Sequence, residues 1–270
     1  MGKKVYEEAK SEENKNLLPP LQALKELIES DRYIWNLFQM MFDEIPQKDV
    51  DTPAGTPQVR DYHELLLVLN RLIQRAPEFN TTGLVGTSIN AVLDYPMGTR
   101  AGYVLFNDPR VNAKMKGILD YWGRYLQSED SSYVLNTSDK GWLSPYALNE
   151  MAKESDRDNF LDLFAVRSTD VKQKLGYTSW DDFFTRKFKA GIRPVASPDD
   201  DVIANACESA PFRIGQHVNK GDQLGMFHFG GSTHVLLFRP EVKLDFDMHG
   251  QTPGLDTTNI KVREAIAHVE

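Results

Sequence analysis

Two glycines precede a hydroxyl residue at Gly230-Gly231-Ser232-Thr233, with His228 before them and His234 after. A serine hydroxyl beside an open Gly–Ser amide can attack the preceding carbonyl and convert the peptide bond into an ester. β-Elimination of that ester gives dehydroalanine, whose hydrolysis leaves a pyruvoyl group at a new N-terminus. Glycine suits the preceding position because it leaves the carbonyl sterically open. The same residues also read as a turn or bulge between strands, which is the common meaning of such a run. His228 and His234 stand at even spacings from Ser232, hence on its face of an extended strand, although the glycines interrupt that alternation. Either could approach the serine if the segment were extended. His63, His217, His249 and His268 show no ligand spacing with Cys207 or with one another, so no metal site is expected. The acidic pair Asp181-Asp182 reads as a helix cap and the run at 199–201 as a surface loop.

The elements that would hold this segment fall into two textures. After Gly191 come short apolar or alternating runs separated by turn residues (VIANACES, FRIGQHV, QLGMFHF, THVLLF, VKLDFDM), which predict strands, with a hairpin turn at 219–222 containing Gly221. Before Gly191 the spacing is helical. Leu21, Leu24, Leu27, Ile28, Trp35, Phe38 and Met41 predict one helix or two short ones after Pro19-Pro20, ending before Pro46. Residues 47–60 read as a loop, and 61–76 as a helix with Tyr62, Leu65, Leu69, Leu72, Ile73 and Ala76 on one face. Asp108-Pro109 and Ser144-Pro145 are helix starts, the first leading to a stripe of Val111, Met115, Ile118, Trp122 and Leu126. Ser179 with Asp182 is a capping pattern that opens an aromatic helix through Phe188, expected to dock on a sheet.

The 270 residues suit one large domain or two unequal ones. With 31 basic and 39 acidic residues the net charge is −8, so nucleic acid is a poor partner. The single cysteine forms no internal disulfide, and the first residues lack the apolar core of a signal peptide. No apolar run approaches the roughly 20 residues that span a bilayer. The expectation is a soluble, cytoplasmic protein without a transmembrane segment.

Separated blocks carry a family resemblance: LQALKELIESD, GTRAG at 98–102, GWLSPYAL at 141–148, SWDDFFTRKFKAGIRPV at 179–195, NACES at 205–209 and GQHVNKGDQLGMFHFGGST at 215–233. Through them the chain is identified as a member of the phosphatidylserine decarboxylase family and resembles its soluble branch, which includes L-tryptophan decarboxylases. The resemblance implies a pyruvoyl-dependent decarboxylase that cleaves itself at Gly231-Ser232, Ser232 supplying the pyruvoyl cofactor. It implies an amino-acid substrate of the tryptophan kind, or phosphatidylserine, whose amine condenses with the ketone before CO2 leaves. Glu208 stands where the family motif P-A-D-G has its aspartate. The family also has a long β-rich segment, with the histidine of a W-H-A-P-V-like motif, where this chain has only APFRI between Ser209 and Gly215.

The expected fold class is therefore α+β. A mobile arm at 1–18 precedes a mainly helical region at 19–178 and a curtailed antiparallel β decarboxylase unit at 179–270. The shortened junction keeps a second reading open, a processing-deficient family remnant with a non-catalytic or interaction role, and leaves oligomerisation open. A third, a carrier module, rests on the lipoyl-like hairpin VNKGDQL, but Lys220 lacks the exposed turn that modifying enzymes read.

Overall fold

The computed structural model describes residues 8–9, 16–46, 58–80, 88–153, 155, 157–205, 235–236, 238–239, 241–254 and 257–270. The chain divides into two compact units, one of Met1–Glu150 with Val166–Arg186, the other of Met151–Ala165 with Lys187–Glu270. Helices build the first and a small antiparallel sheet lies in the second, so the class is α+β as expected.

In the first unit, α1 (Pro19–Ser30) and α2 (Arg32–Asp43) are two helices, because Asp31 leaves the helical region and its carboxylate accepts the Tyr33 and Ile34 N–H groups. That cap satisfies donors that a new helix start would leave bare. α3 (Tyr62–Leu72) buries every residue of its anticipated stripe. α4 (Ser88–Gly98) and α5 (Arg100–Asn107) follow; the sequence reading assigned neither. α6 (Pro109–Gln127) starts where expected, with Asp108 accepting from the Arg110 N–H and Pro109 at the first position. α7 (Pro145–Lys153) is capped by Ser144, whose Oγ accepts the Ala147 N–H at 3.1 Å. α1 packs on α2 and α6, and α2 and α6 each pack on α5. Leu21, Leu24, Ile34, Met41, Leu69, Leu105 and Ile118 are all fully buried there. Near the chain start, Ala9 is buried and the Glu8 carboxylate is paired with Arg71 and Arg75 of the α3 region.

The aromatic helix departs from expectation. α9 (Trp180–Phe184) ends at Phe184, where the Thr185 N–H and Oγ both close on the Asp181 carbonyl. Its partners within the first unit, among the described residues, are helical. It packs on α6 and on the 3-10 segment Glu129–Val134, while Trp180 and Phe183 lie 6.2 and 5.7 Å from the Trp142 ring. Phe184 remains 58% exposed, stacked on Trp180, so the aromatic face is only partly covered. Phe188 belongs to the second unit and stacks on Phe164, the residue after α8 (Phe160–Leu163), at 4.9 Å.

The second unit's sheet has the order β1-β3-β2, from β1 (Val202–Ala204), β2 (Leu244–Phe246) and β3 (Ala265–Val269), both pairings antiparallel. β1 and β2 lie within runs that predict strands; β3, between them, was not anticipated. Ala267, opposite both Ile203 and Phe246, is buried, whereas His268, opposite Val202 and Asp245, is exposed. Directly opposed residues share a face, so one face of the sheet is apolar and the other wet. The runs FRIGQHV and QLGMFHF and the turn at 219–222 lie outside the described residues.

Candidate active site

Glu208, His228, Gly231 and Ser232 lie outside the described residues, as do Cys207, His217, Lys220 and His234. The structure does describe how the chain is held on either side of them. β1 ends at Ala204, opposite Ala265, and β2 begins at Leu244, opposite Val269. Since both strands run antiparallel to β3, the chain leaves the sheet at one end of β3 and rejoins it at the other.

The departure point is fixed by a buried amide. Asn205 is 4% exposed, and its Nδ2 donates to the carbonyls of Ile260 at 2.8 Å and Lys261 at 3.3 Å. Its N–H donates to the Glu264 carbonyl and its own carbonyl accepts the Arg263 N–H, both at 2.6 Å. Three residues before Glu208, the main chain is therefore bonded through backbone and side chain to the approach to β3. Arg263 holds a left-handed φ of +72° and donates from Nη1 to the Arg193 carbonyl at 3.1 Å. Its carbonyl accepts the Ala196 N–H at 2.9 Å. Arg193 is 7% exposed; its guanidinium lies 4.7 Å from the Phe188 ring centroid and donates to the Ser155 carbonyl. Burying an arginine is costly unless its donors are met, and here carbonyls and an aromatic face meet them. Arg193 and Asn205, from the RPV and NACES blocks, thus brace the strand that leads toward Glu208.

Three histidines are placed, His63 beside the Tyr62 ring at 3.9 Å and two in the second unit. His249, at φ +54°, sets Nε2 2.8 Å from the Ala265 carbonyl, and its N–H donates to Asp247 Oδ1, so it ties the turn after β2 to β3. His268 lies on the wet face of β3. Among the described residues no group of three or more His, Cys, Asp or Glu side chains could hold a metal ion.

The acidic groups behave as caps and loops. Asp182 accepts two parallel bonds from Arg167 at 2.7 and 2.8 Å and the Thr178 N–H at 2.9 Å. Those bonds, the Arg167 guanidinium foremost, hold its carboxyl below the usual range despite partial burial. Asp199 accepts from Ser197 Oγ at 2.7 Å in an exposed loop. Burial alone pushes the Arg186 guanidinium down to about 10, where it lies 5.0 Å from the Phe183 ring centroid.

The remaining described blocks are packing devices. In GTRAG, Thr99 Oγ1 accepts the Gly102 N–H at 2.9 Å, and a Cβ on Gly102 would stand 1.9 Å from the Pro96 carbonyl oxygen. In GWLSPYAL, a Cβ on Gly141 would stand 2.0 Å from the Asn136 carbonyl oxygen, and Trp142 Nε1 donates to the Pro77 carbonyl at 2.7 Å. The bracing roles of Arg193, Arg263 and Asn205 have no signal in the sequence. A buried arginine has no local signature, since a charged residue in a polar stretch reads as surface.

Comparison with known proteins places these blocks in context. Two family models, both described as phosphatidylserine decarboxylase, match residues 18–151 and 210–268, the second spanning Gly231-Ser232. The decarboxylase iboD of Amanita muscaria (strain Koide BX008) is 38% identical over 179 residues, covering 63% of this chain and 50% of that protein. An L-tryptophan decarboxylase of Psilocybe cubensis is 32% identical over 229 residues, 82% of this chain and 48% of its own length. One from Psilocybe cyanescens is 31% identical over 217 residues, 77% and 46% respectively. The chain spans about half the length of the curated relatives it matches.

Proposed function

Because the chain belongs to the phosphatidylserine decarboxylase family, we propose that it is by descent a pyruvoyl-dependent decarboxylase whose processing bond is Gly231-Ser232. The observation that carries this reading is the Gly-Gly-Ser-Thr run inside the stretch matched by the second family model. Ser232 Oγ attacks the Gly231 carbonyl carbon, the peptide nitrogen leaves, and an ester forms. Loss of the Ser232 α-proton expels the Gly231 carboxylate, which ends the first fragment and leaves dehydroalanine. Water then replaces the nitrogen of dehydroalanine as ammonia and leaves a ketone. A pyruvoyl group supplies that ketone for an amine and an electron sink for the bond that releases CO2. Glu208 takes the acid's place in the processing site and His228 a substrate-side place. The substrate is a small amino acid of the tryptophan kind, favoured over phosphatidylserine by the acidic balance and by the named relatives. No helix among the described residues is long and apolar enough to cross a membrane, and the proposed setting is cytoplasmic.

A second reading has its own observation. Only APFRI stands between Ser209 and Gly215, where the family carries strands and a histidine, and this favours a chain that processes poorly and persists as a non-catalytic remnant.

Intact mass joined to a CO2-release assay tests the proposal. Molecules that turn over substrate are expected to consist of fragments 1–231 and 232–270, the second beginning with pyruvoyl, and Ser232→Ala is expected to abolish both cleavage and turnover. Activity from an unbroken chain, or cleavage persisting in the alanine variant, would overturn the assignment.

A further inference from the structure

Three consecutive residues in the loop before α9 stand in the left-handed region, with φ of +54° at Lys174, +54° at Leu175 and +84° at Gly176. Glycine is needed at the third, where a Cβ would come 2.5 Å from Arg167 Cβ. The first two carry side chains, and such a pair persists only where its surroundings over-determine it. Leu175 is fully buried, and its carbonyl accepts the Arg167 and Ser168 N–H groups at 3.2 Å each. The link from this loop to the 3-10 segment Glu129–Val134 is a side-chain bond, from Lys174 Nζ to Ser132 Oγ at 2.6 Å, and Ser132 is 6% exposed. The neighbouring Ser131 Oγ accepts the Trp180 N–H at 2.9 Å. Consecutive serines therefore grip both ends of the stretch from Lys174 to Trp180.

We propose that residues 170–177 form a two-state clasp, strained in the closed form seen here and latched by the Lys174–Ser132 bond. Backbone strain favours release, and the latch opposes it. Opening frees the loop that precedes the Ser179 cap, and with it the packing of Trp180 on Trp142. A charge-assisted hydrogen bond to a buried oxygen is the kind of contact whose loss shifts such a balance by about tenfold or more.

Amide hydrogen exchange on the full chain reads the clasp directly, with the α6 amides as internal reference. Ser132→Ala and Lys174→Met each remove the latch and keep the strain at position 174; exchange over 170–177 is expected to rise by about tenfold or more while α6 is unchanged. Lys174→Gly removes the latch together with the strain at position 174, leaving only that at Leu175, so its rise is expected to be clearly smaller than that of the methionine variant. Equal opening in the methionine and glycine variants would remove strain from the account and overturn the clasp. So would unchanged exchange in the variants, or a rise in step with α6, since either result makes the contact an ordinary part of the global fold.

Discussion

At the residue scale, glycines of similar appearance in the sequence divide by what surrounds them. Gly102 and Gly141 lie against backbone carbonyls, at 1.9 and 2.0 Å from a built Cβ, and cannot accept a methyl group without moving main chain. Gly117 and Gly123, inside α6, have nothing within 4 Å. Thermal or denaturant unfolding should therefore give opposite signs. Gly102→Ala is expected to destabilise by about 1–3 kcal/mol, whereas Gly117→Ala is expected to stabilise by about 0.5–1 kcal/mol because alanine restricts the unfolded chain and favours helix. A stabilising Gly102→Ala would mean that α4 and α5 yield freely at their junction. Asp108 gives a test by titration. The Arg110 side chain, reinforced by backbone donors, holds its carboxyl down to about 2 from 3.8. A depressed folded value contributes stability above the ordinary value near 4 and loses it as pH falls toward 2. Carboxyl chemical shifts should show that low midpoint, and Arg110→Ala should return it toward 3.8.

At the scale of elements, what was legible is what local chemistry decides. Asp108-Pro109, Ser144-Pro145 and Ser179-x-x-Asp182 each cap the helix they announce, because a cap involves residues only a few positions apart. The Asp31 cap is equally local and decides for two short helices where the spacing allowed one or two, whereas the end of α9 at Phe184 and the pairing of β3 depend on residues that suit several conformations or on distant partners. Ala265–Val269 is short and carries His268 on its open face, so its alternation is weak until β1 and β2 flank it. α4 contains Pro96 and ends at Gly98, both of which argue against a helix when read locally. The brace at Asn205 is tertiary in the same way. Asn205→Ala takes the side-chain donor from the buried Ile260 carbonyl, at about 1–3 kcal/mol. Faster hydrogen exchange confined to β1 and β3 is the expected result; exchange as slow as in the parent chain would show that the backbone bonds of Asn205 suffice.

For the whole molecule, the question is whether a chain that keeps the Gly-Ser bond also keeps the means to break it. The candidates Glu208 and Ser232 follow from motif context alone and lie outside the described residues, and the resemblance that names them also implies a histidine in a stretch for which this chain has only APFRI. General base assistance is typically worth about 10² to 10⁴ in rate. Positioning of the reacting bond, to which the strands implied by the resemblance would contribute, is worth roughly 7–11 kcal/mol in well-oriented cases. Both losses act on the same step, so the purified chain is expected to be mostly uncleaved after a day's incubation, with little or no CO2 release from tryptophan, other aromatic amino acids or phosphatidylserine. The cleaved fraction by mass and the release assay measure this together. If the base is the main deficit, added imidazole should raise the cleaved fraction at Ser232; if positioning dominates, it should have no effect. Near-complete cleavage with turnover and no additive would instead mean that a surviving group such as Glu208 or His228 has taken over the missing role, and the remnant reading would fall.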